Sequence, residues 1–442
     1  MARPFQPLRG VRVLAFESAF SLPAGTRTLA EMGADVVRVG RPARNARSSG
    51  YITVVDGGAL LKQSLALDLA TDAGRALARE LAAKADIICN NFRPRVMRRY
   101  GLDYDSVRAL KPDIIFLQMS GYGTLGPWGE FPAYGPSTEA AGGMNQLIGE
   151  AADPPMRIGS GVFADQAGGR YAALALIAAL AHRQRTGEGQ YMDLSMAESI
   201  THLLGDRILN AAIQGMIPPR HGNRDPRIAP QGIYPALGNR DDDAANAQSD
   251  EWIALSVLDD EQWRTLVGLI GDEALADPRF CTHVGRQAAH DEIDRHIAAW
   301  TRSQEKDALA ALLQQHGIPA GPVQTTRDLH LDPHLRIRGA FRTVQHARPV
   351  LGYTAHPHLT TPWQVAGHER APLTDLHPDG ADNRRVLRRW LKLPAAEVTR
   401  LEQCGALLPP AELQVPPPIR MPGQPVDAAH ATRLGLPAAE DA

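Results

Sequence analysis

The chain has 442 residues, 44% of them apolar and 22% charged, with a formal net charge of -2. That length suits two or three domains' worth of core, and the near-neutral charge gives no electrostatic case for nucleic acid or an anionic membrane. Three cysteines, Cys89, Cys281 and Cys404, lie far apart without metal-ligand spacing, which argues against a zinc site or a disulfide framework and suits a reducing cytoplasm.

The N-terminus, "MARPFQPLRGVRVLAF", lacks the long apolar stretch of a signal peptide, and the apolar run Tyr171 to Ala181 falls short of the about 20 residues that span a bilayer. "VRVLAF" (Val11 to Phe16) reads as a buried strand. A helical pattern around Thr26 to Met32 ends at Gly33, and "ADVVRV" (Ala34 to Val39) reads as the next strand. "SLALDL" (Ser64 to Leu69) precedes a helix from about Thr71 to Lys84, with Thr71 as its N-cap. "ADIICNNF" and "PDIIFLQMSG" give two further strands, ending near Phe92 and Gly121. Strands alternating with helices require crossovers, so the expected fold is α/β, a Rossmann-like large domain with a doubly wound, mostly parallel sheet. Ligands of such sheets bind beyond the carboxyl ends of the strands, here residues 20–23, 40–42, 90–94 and 120–123. No G-x-G-x-x-G or P-loop follows the first strand, so no dinucleotide cofactor is expected.

Beyond about His221 the texture becomes rich in Gly, Pro, Asn and Asp, then gives a strand at Trp252 to Val257 and helices to about His316. This places a smaller α/β domain at 223–321, with the large domain made of 1–222 and 322–408 and a Pro-rich tail at 409–442. The three aspartates within the polar stretch Asn239 to Gln248 read as a solvated run, not a metal cluster. The late histidines His330, His334, His356 and His358 have no standard ligand spacing and read as scattered surface residues.

The chemistry-bearing stretch is "RIGSGVFADQAGGRYAALALIAALAH", Arg157 to His182. Asp165 stands where an apolar helix begins, and as an N-cap it would contribute about 1 kcal/mol. Capping does not explain Gly168 and Gly169, each of which costs roughly 1 kcal/mol in a helix. The other reading makes Asp165 a nucleophile in the positive potential of a helix N-terminus, with the glycines leaving room for a bulky thioester and freeing N–H groups for an oxyanion. These residues alone allow both.

Seven segments in order, "LRGVRVLAFES", "LAEMGADVVRV", "SLALDL", "ADIICNNFRPRVMRRYGLDYDSVRALKPDIIFLQMSGYGTLGPW", "PPMRIGSGVFADQAGG", "RTGEGQYMDLSMAES" and "GIPAGPV", make the chain resemble the family III CoA-transferases, the CaiB/BaiF type that includes formyl-CoA transferase and carnitine CoA-transferase. The resemblance runs from about Pro7 to about Leu407. It implies that Asp165 is the nucleophile, that coenzyme A is carried as a substrate with no tightly bound cofactor and no metal, and that the partners are an acyl-CoA and a small carboxylic acid. It further implies CoA contacts from Arg41, from Leu61 and Lys62 along the adenine, from Asn91, Phe92 and Arg93 in the "NNFRP" turn, and from Arg99. Gly121 and Gly123 would border the pocket, as would Gly168 and Gly169. An interlocked homodimer is implied as well.

The text departs from the family after the first strand, where "FSLP" replaces the common "AGP" and puts the bulky Phe20 against the reacting acyl groups. "VVRVG" replaces "VIKVE", and "AYGP" (Ala133 to Pro136) replaces "GYD". The rival chemistry on this fold, α-methylacyl-CoA racemisation, needs two acid/base groups and uses a histidine ahead of the aspartate; here no histidine precedes His182. Intramolecular CoA transfer uses the same aspartate and stays open, as does a non-catalytic CoA-binding protein. Donor and acceptor acids are not named by these residues.

Overall fold

The computed structural model describes residues 3–40, 58–159, 162–217, 219–238, 250–350 and 353–410. Arg41, the polar stretch Asn239 to Gln248 and the tail beyond Pro410 lie outside the described residues.

Six strands form the larger unit's sheet: β1 (Arg12–Phe16), β2 (Asp35–Gly40), β3 (Gln63–Ala66), β4 (Ile87–Asn90), β5 (Ile115–Ser120) and β6 (Gln190–Ser195). Their order is β3-β2-β1-β4-β5-β6 and every pairing is parallel, the Rossmann order. The cause is visible in the strands themselves. β3, β4 and β5 are buried along their whole length, so both faces of the sheet need covering. Alternation divides β1 between two cores. Leu14 and Phe16 join Val37, Leu65, Leu81 and Phe116 on one face, while Val13 and Ala15 join Leu22, Leu29, Leu117 and Leu176 on the other.

The helices of this part are α1 (Ser21–Glu31), α2 (Asp72–Ala82), α3 (Pro94–Arg99), α4 (Tyr104–Arg108), α5 (Gly135–Ala141), α6 (Phe163–Thr186), α7 (Met196–Thr201) and α8 (Gly205–Gln214). Thr71 caps α2 by accepting the Gly74 N–H at 3.0 Å, and Gly33 follows α1 with φ +92°. α1 starts five residues ahead of the expected Thr26, because Pro23 is tolerated in a first turn. Strand β6 escaped the periodic reading: it lies at the sheet edge and leaves Tyr191 half exposed.

A second compact unit comprises Leu147–Met156 and Ile217–Asp332. Its antiparallel sheet, β7 (Gln231–Pro235), β8 (Trp252–Ser256) and β9 (Ala320–Val323), packs Tyr234, Ile253 and Leu255 against Trp263, Phe280, Ile293 and Leu309. The helices supplying that core are α9 (Asp260–Ile270), α11 (His290–Thr301) and α12 (Lys306–Gln315), with α10 (His283–Ala288) between the first two and α13 (Thr326–Leu331) after the last. The ten residues from Leu147 to Met156 belong with this unit, ahead of the stretch where the composition changes.

The chain then returns to the larger unit through α14 (Pro333–Ile337), the hairpin β10 (Phe341–Val350) and β11 (Tyr353–Leu359), α15 (Asn383–Trp390) and α16 (Ala395–Gln403). One expectation fails here. His358 is not a surface residue: it is buried on β11, its ring centroid 5.7 Å from that of His346.

Candidate active site

In a 3-2-1-4-5-6 sheet the chain leaves β1 and β4 in opposite directions, opening a crevice beyond their carboxyl ends. The two loops there are Glu17 to Phe20 and Asn91 to Arg93. Asn91 laces them together: its Oδ1 accepts the Ser18 N–H at 3.0 Å, and its Nδ2 donates to the Ser18 carbonyl at 2.8 Å and to Ser21 Oγ at 3.2 Å. The Phe92 carbonyl accepts from Gln118 Nε2 at 2.6 Å. The amide of Asn91, expected to face CoA, is thus spent on holding the loop that carries Ala19 and Phe20. Ala19 sits at φ +55°, a conformation that costs a residue with a Cβ and that clusters at functional sites.

Behind this loop lies a fully buried polar cluster. Lys62 Nζ is 2.6 Å from Glu17 Oε1 and donates to Thr26 Oγ1 at 2.6 Å and to the Pro23 carbonyl at 2.9 Å; Thr26 in turn donates to Glu17 Oε2 at 2.5 Å. The amine of Lys62 therefore points inward, toward Glu17, Thr26 and the Pro23 carbonyl, and not out toward an adenine. Leu61, next to it, is half-buried at φ +64°. Arg93 and Arg99 are exposed, and no carboxylate pairs with either among the described residues. Arg99 lies over the Tyr100 ring at 6.0 Å.

Asp165 is buried, 8% exposed, in the first turn of α6. It is not the N-cap. That position is Val162, which has no acceptor, and Asp165 stands three residues further on. The backbone N–H of Ala164 is taken instead by Glu139 Oε1 on α5, at 3.3 Å.

The glycines answer to packing. A Cβ on Gly169 would stand 2.5 Å from the Ser21 carbonyl oxygen and 2.9 Å from Ala24 Cβ, and one on Gly25 would stand 2.5 Å from the Gly169 carbonyl oxygen. Helices α1 and α6 thus cross backbone to backbone. Gly168 faces Met119 and Met196. Both N–H groups lie past the first turn, where the helix ladder uses them, so they are not free for an oxyanion. The crossing has a functional consequence nonetheless. Asp165 stands one turn ahead of Gly169 on the same face of α6, the face that crosses α1. Gly121 and Gly123 serve the backbone too: a Cβ on Gly121 would meet Ala133 Cβ at 2.2 Å, and Gly123 turns the chain at φ +79° so that the Thr124 N–H reaches Asp193.

Sequence reasoning missed Glu17, Thr26 and Glu139. A signal existed for two partners: a single Glu closes the apolar strand "VLAFE", and a single Lys interrupts "ALLKQSLAL". An acid and a base each stranded in an apolar run are candidates for each other. Among the described residues, no group of three or more His, Cys, Asp or Glu could hold a metal ion, and no helix is long and apolar enough to cross a membrane.

Residues 8–383 match the family model for CoA-transferase family III. The chain belongs to that family. It is 33% identical over 345 residues to the succinyl-CoA–D-citramalate CoA-transferase of Chloroflexus aurantiacus, covering 76% of this chain and 83% of that protein. It is 32% identical over 348 residues to the succinate–glutarate CoA-transferase of Agrobacterium fabrum, covering 75% and 84%. A crystal structure of a CaiB/BaiF family protein from Brucella suis matches with a TM-score of 0.74 at 28% identity, over 87% of this chain and 99% of that one. This family III member is therefore an enzyme, a CoA-transferase acting on CoA thioesters.

Proposed function

We propose that this enzyme moves CoA from an acyl-CoA donor to a small carboxylic acid through a thioester on Asp165. The observation that carries the reading is the placement of Asp165: a buried carboxylate in the first turn of a 24-residue helix, on the helix face that crosses α1. The helix end favours the ionised form, which is the nucleophile.

The steps balance without metal or redox chemistry. An Asp165 oxygen attacks the donor's thioester carbon, and the C–S bond breaks with its electron pair leaving as CoA thiolate. The thiolate attacks the aspartyl carbon of the resulting mixed anhydride, expelling the donor acid and leaving aspartyl-CoA. The acceptor carboxylate attacks that thioester, again releasing thiolate. Attack of the thiolate on the acceptor's acyl carbon then forms the new acyl-CoA and frees Asp165. Thiolate must stay bound between steps, so a firm grip on CoA is part of the mechanism. Arg93 and Arg99, exposed and without carboxylate partners among the described residues, supply charge for its phosphates, and by family resemblance Arg41 joins them. Half-buried Phe20 lines the acyl side, and Leu61 and Phe92 flank the CoA path.

The reading includes an interlocked homodimer, taken from the family resemblance. It is supported by α8, which buries no residue and exposes Ile208, Leu209 and Ile213 by 45%, 57% and 73%, an apolar face that a second copy would cover. The reading also places the enzyme in the cytoplasm, a reducing compartment in which the free thiols Cys89, Cys281 and Cys404 would stay reduced.

The test is peptide mass spectrometry after incubation with succinyl-CoA, the thioester named for the Chloroflexus aurantiacus relative, with borohydride trapping. A CoA adduct or its reduced remnant on Asp165, absent from Asp165→Ala, is the expected outcome. Turnover that leaves Asp165 unlabelled would overturn the reading, and solvent deuterium entering the donor's α-carbon would move it to racemisation.

A further inference from the structure

Glu139 is the group in this site with no assigned task. It lies on α5 and is wholly buried. Its Oε1 accepts the Ala164 N–H at 3.3 Å, while Oε2 has no hydrogen-bond partner among the described residues and stands 4.0 Å from Arg157 Nε. A buried carboxylate with an oxygen left open is costly, and such groups persist where something else depends on them.

The local sequence shows what depends on it. Helix α6 begins at Val162, a residue that cannot cap, so a first-turn N–H would be buried without an acceptor. Glu139 reaches across from the neighbouring helix and provides one. The same carboxylate faces Arg157, on the other side of the turn at Gly159 (φ +54°). One side chain thus bonds the first turn of α6, immediately ahead of Asp165, and lies 4.0 Å from a residue seven positions before that bond. A 1 Å displacement of a reacting group is enough to lose orders of magnitude in rate.

We propose that Glu139 is a positioning residue for Asp165: by accepting the Ala164 N–H it fixes the first turn of α6, and with it the direction in which the nucleophile meets the thioester carbon. The inference rests on the reading of Asp165 as nucleophile. It assigns Glu139 no contact with substrate and no proton transfer.

Two variants separate reach from charge. Glu139→Gln keeps the acceptor at the right distance and removes the charge; Glu139→Asp keeps the charge and withdraws the acceptor by one methylene. The readout is the single-turnover rate of Asp165 labelling by succinyl-CoA, with the donor KM and the fraction of folded protein measured on the same samples. Positioning predicts that Glu139→Gln labels within about fivefold of the wild-type rate, and Glu139→Asp about 100-fold more slowly, with donor KM changed less than about threefold in both. The proposal is overturned if Glu139→Asp labels as fast as Glu139→Gln, or if its labelling falls only in proportion to unfolded protein. A wild-type enzyme that turns over without labelling Asp165 would instead remove the nucleophile reading, and this inference with it.

Discussion

Two buried acids of the larger unit, Glu17 and Glu139, are satisfied differently. Glu17 sits in a closed ring: one oxygen meets Lys62, the other takes the Thr26 hydroxyl, and the Lys62 ammonium also binds Thr26 and the Pro23 carbonyl. Glu139 takes one backbone N–H and leaves its second oxygen open. A closed network of donors and acceptors gives rigidity at little risk, whereas an unfinished one is tolerated where geometry serves something else. The closed ring fixes the base of the Phe20 loop, and the open one adjoins the carboxylate that we propose reacts.

The comparison breaks most easily at the closed ring. Lys62→Met leaves Glu17 buried without its cation and is expected to cost about 3–5 kcal/mol, read as a lower urea midpoint. Adding Glu17→Gln should recover a large part of that loss, since no uncompensated charge then remains. If Lys62→Met leaves the midpoint unchanged and raises the donor KM alone, Lys62 reaches CoA and the ring is not what holds the loop.

The contrast also marks what the sequence could and could not tell. Fully buried strands such as "IICN" and "IFLQMS" announce themselves by composition, and a cap such as Thr71 needs only its own neighbours. Asp165 stood out because an acid before glycines is locally odd. The reason for those glycines was invisible, since it lies 144 positions away where Gly169 meets Gly25. Lys62 and Asn91 were named from the sequence as CoA contacts, but their partners, Glu17 and Ser18, come from another loop, and without them the inward direction of each side chain could not be known. Glu139 gave no signal at all: its meaning depends on a cap that Val162 fails to supply.

A smaller effect sharpens the picture at the helix crossing. Gly169→Ala drives a methyl group into the Ser21 carbonyl and Ala24, both on the backbone side of α1, so neither can step aside cheaply. Overpacking of this kind costs about 1–3 kcal/mol, and here it also pushes α1 away from Asp165, so labelling of Asp165 should slow along with the loss of thermal stability. Gly168→Ala meets only the flexible end of Met119 at 2.7 Å and should cost less. Equal melting temperatures for the two variants would show that the crossing is looser than these contacts require.

The smallest effect concerns a third buried acid, Asp382, which resembles Glu17 in being fully bonded but differs in lying against a histidine. Burial pushes its carboxyl up; the His377 ring and the Ser64 N–H, with Arg385 nearby, outweigh that and hold it below the usual aspartate range. A carboxyl lowered in the folded state contributes stability that is complete above its unfolded value, about 3.9, and is lost as pH falls through the lower folded value. Asp382→Asn should therefore be less stable than the wild type at pH 7, by on the order of 1 kcal/mol, and the gap should close on acidification below about pH 4. A gap that stays constant down to pH 3 would mean that shape, not charge, is what Asp382 contributes.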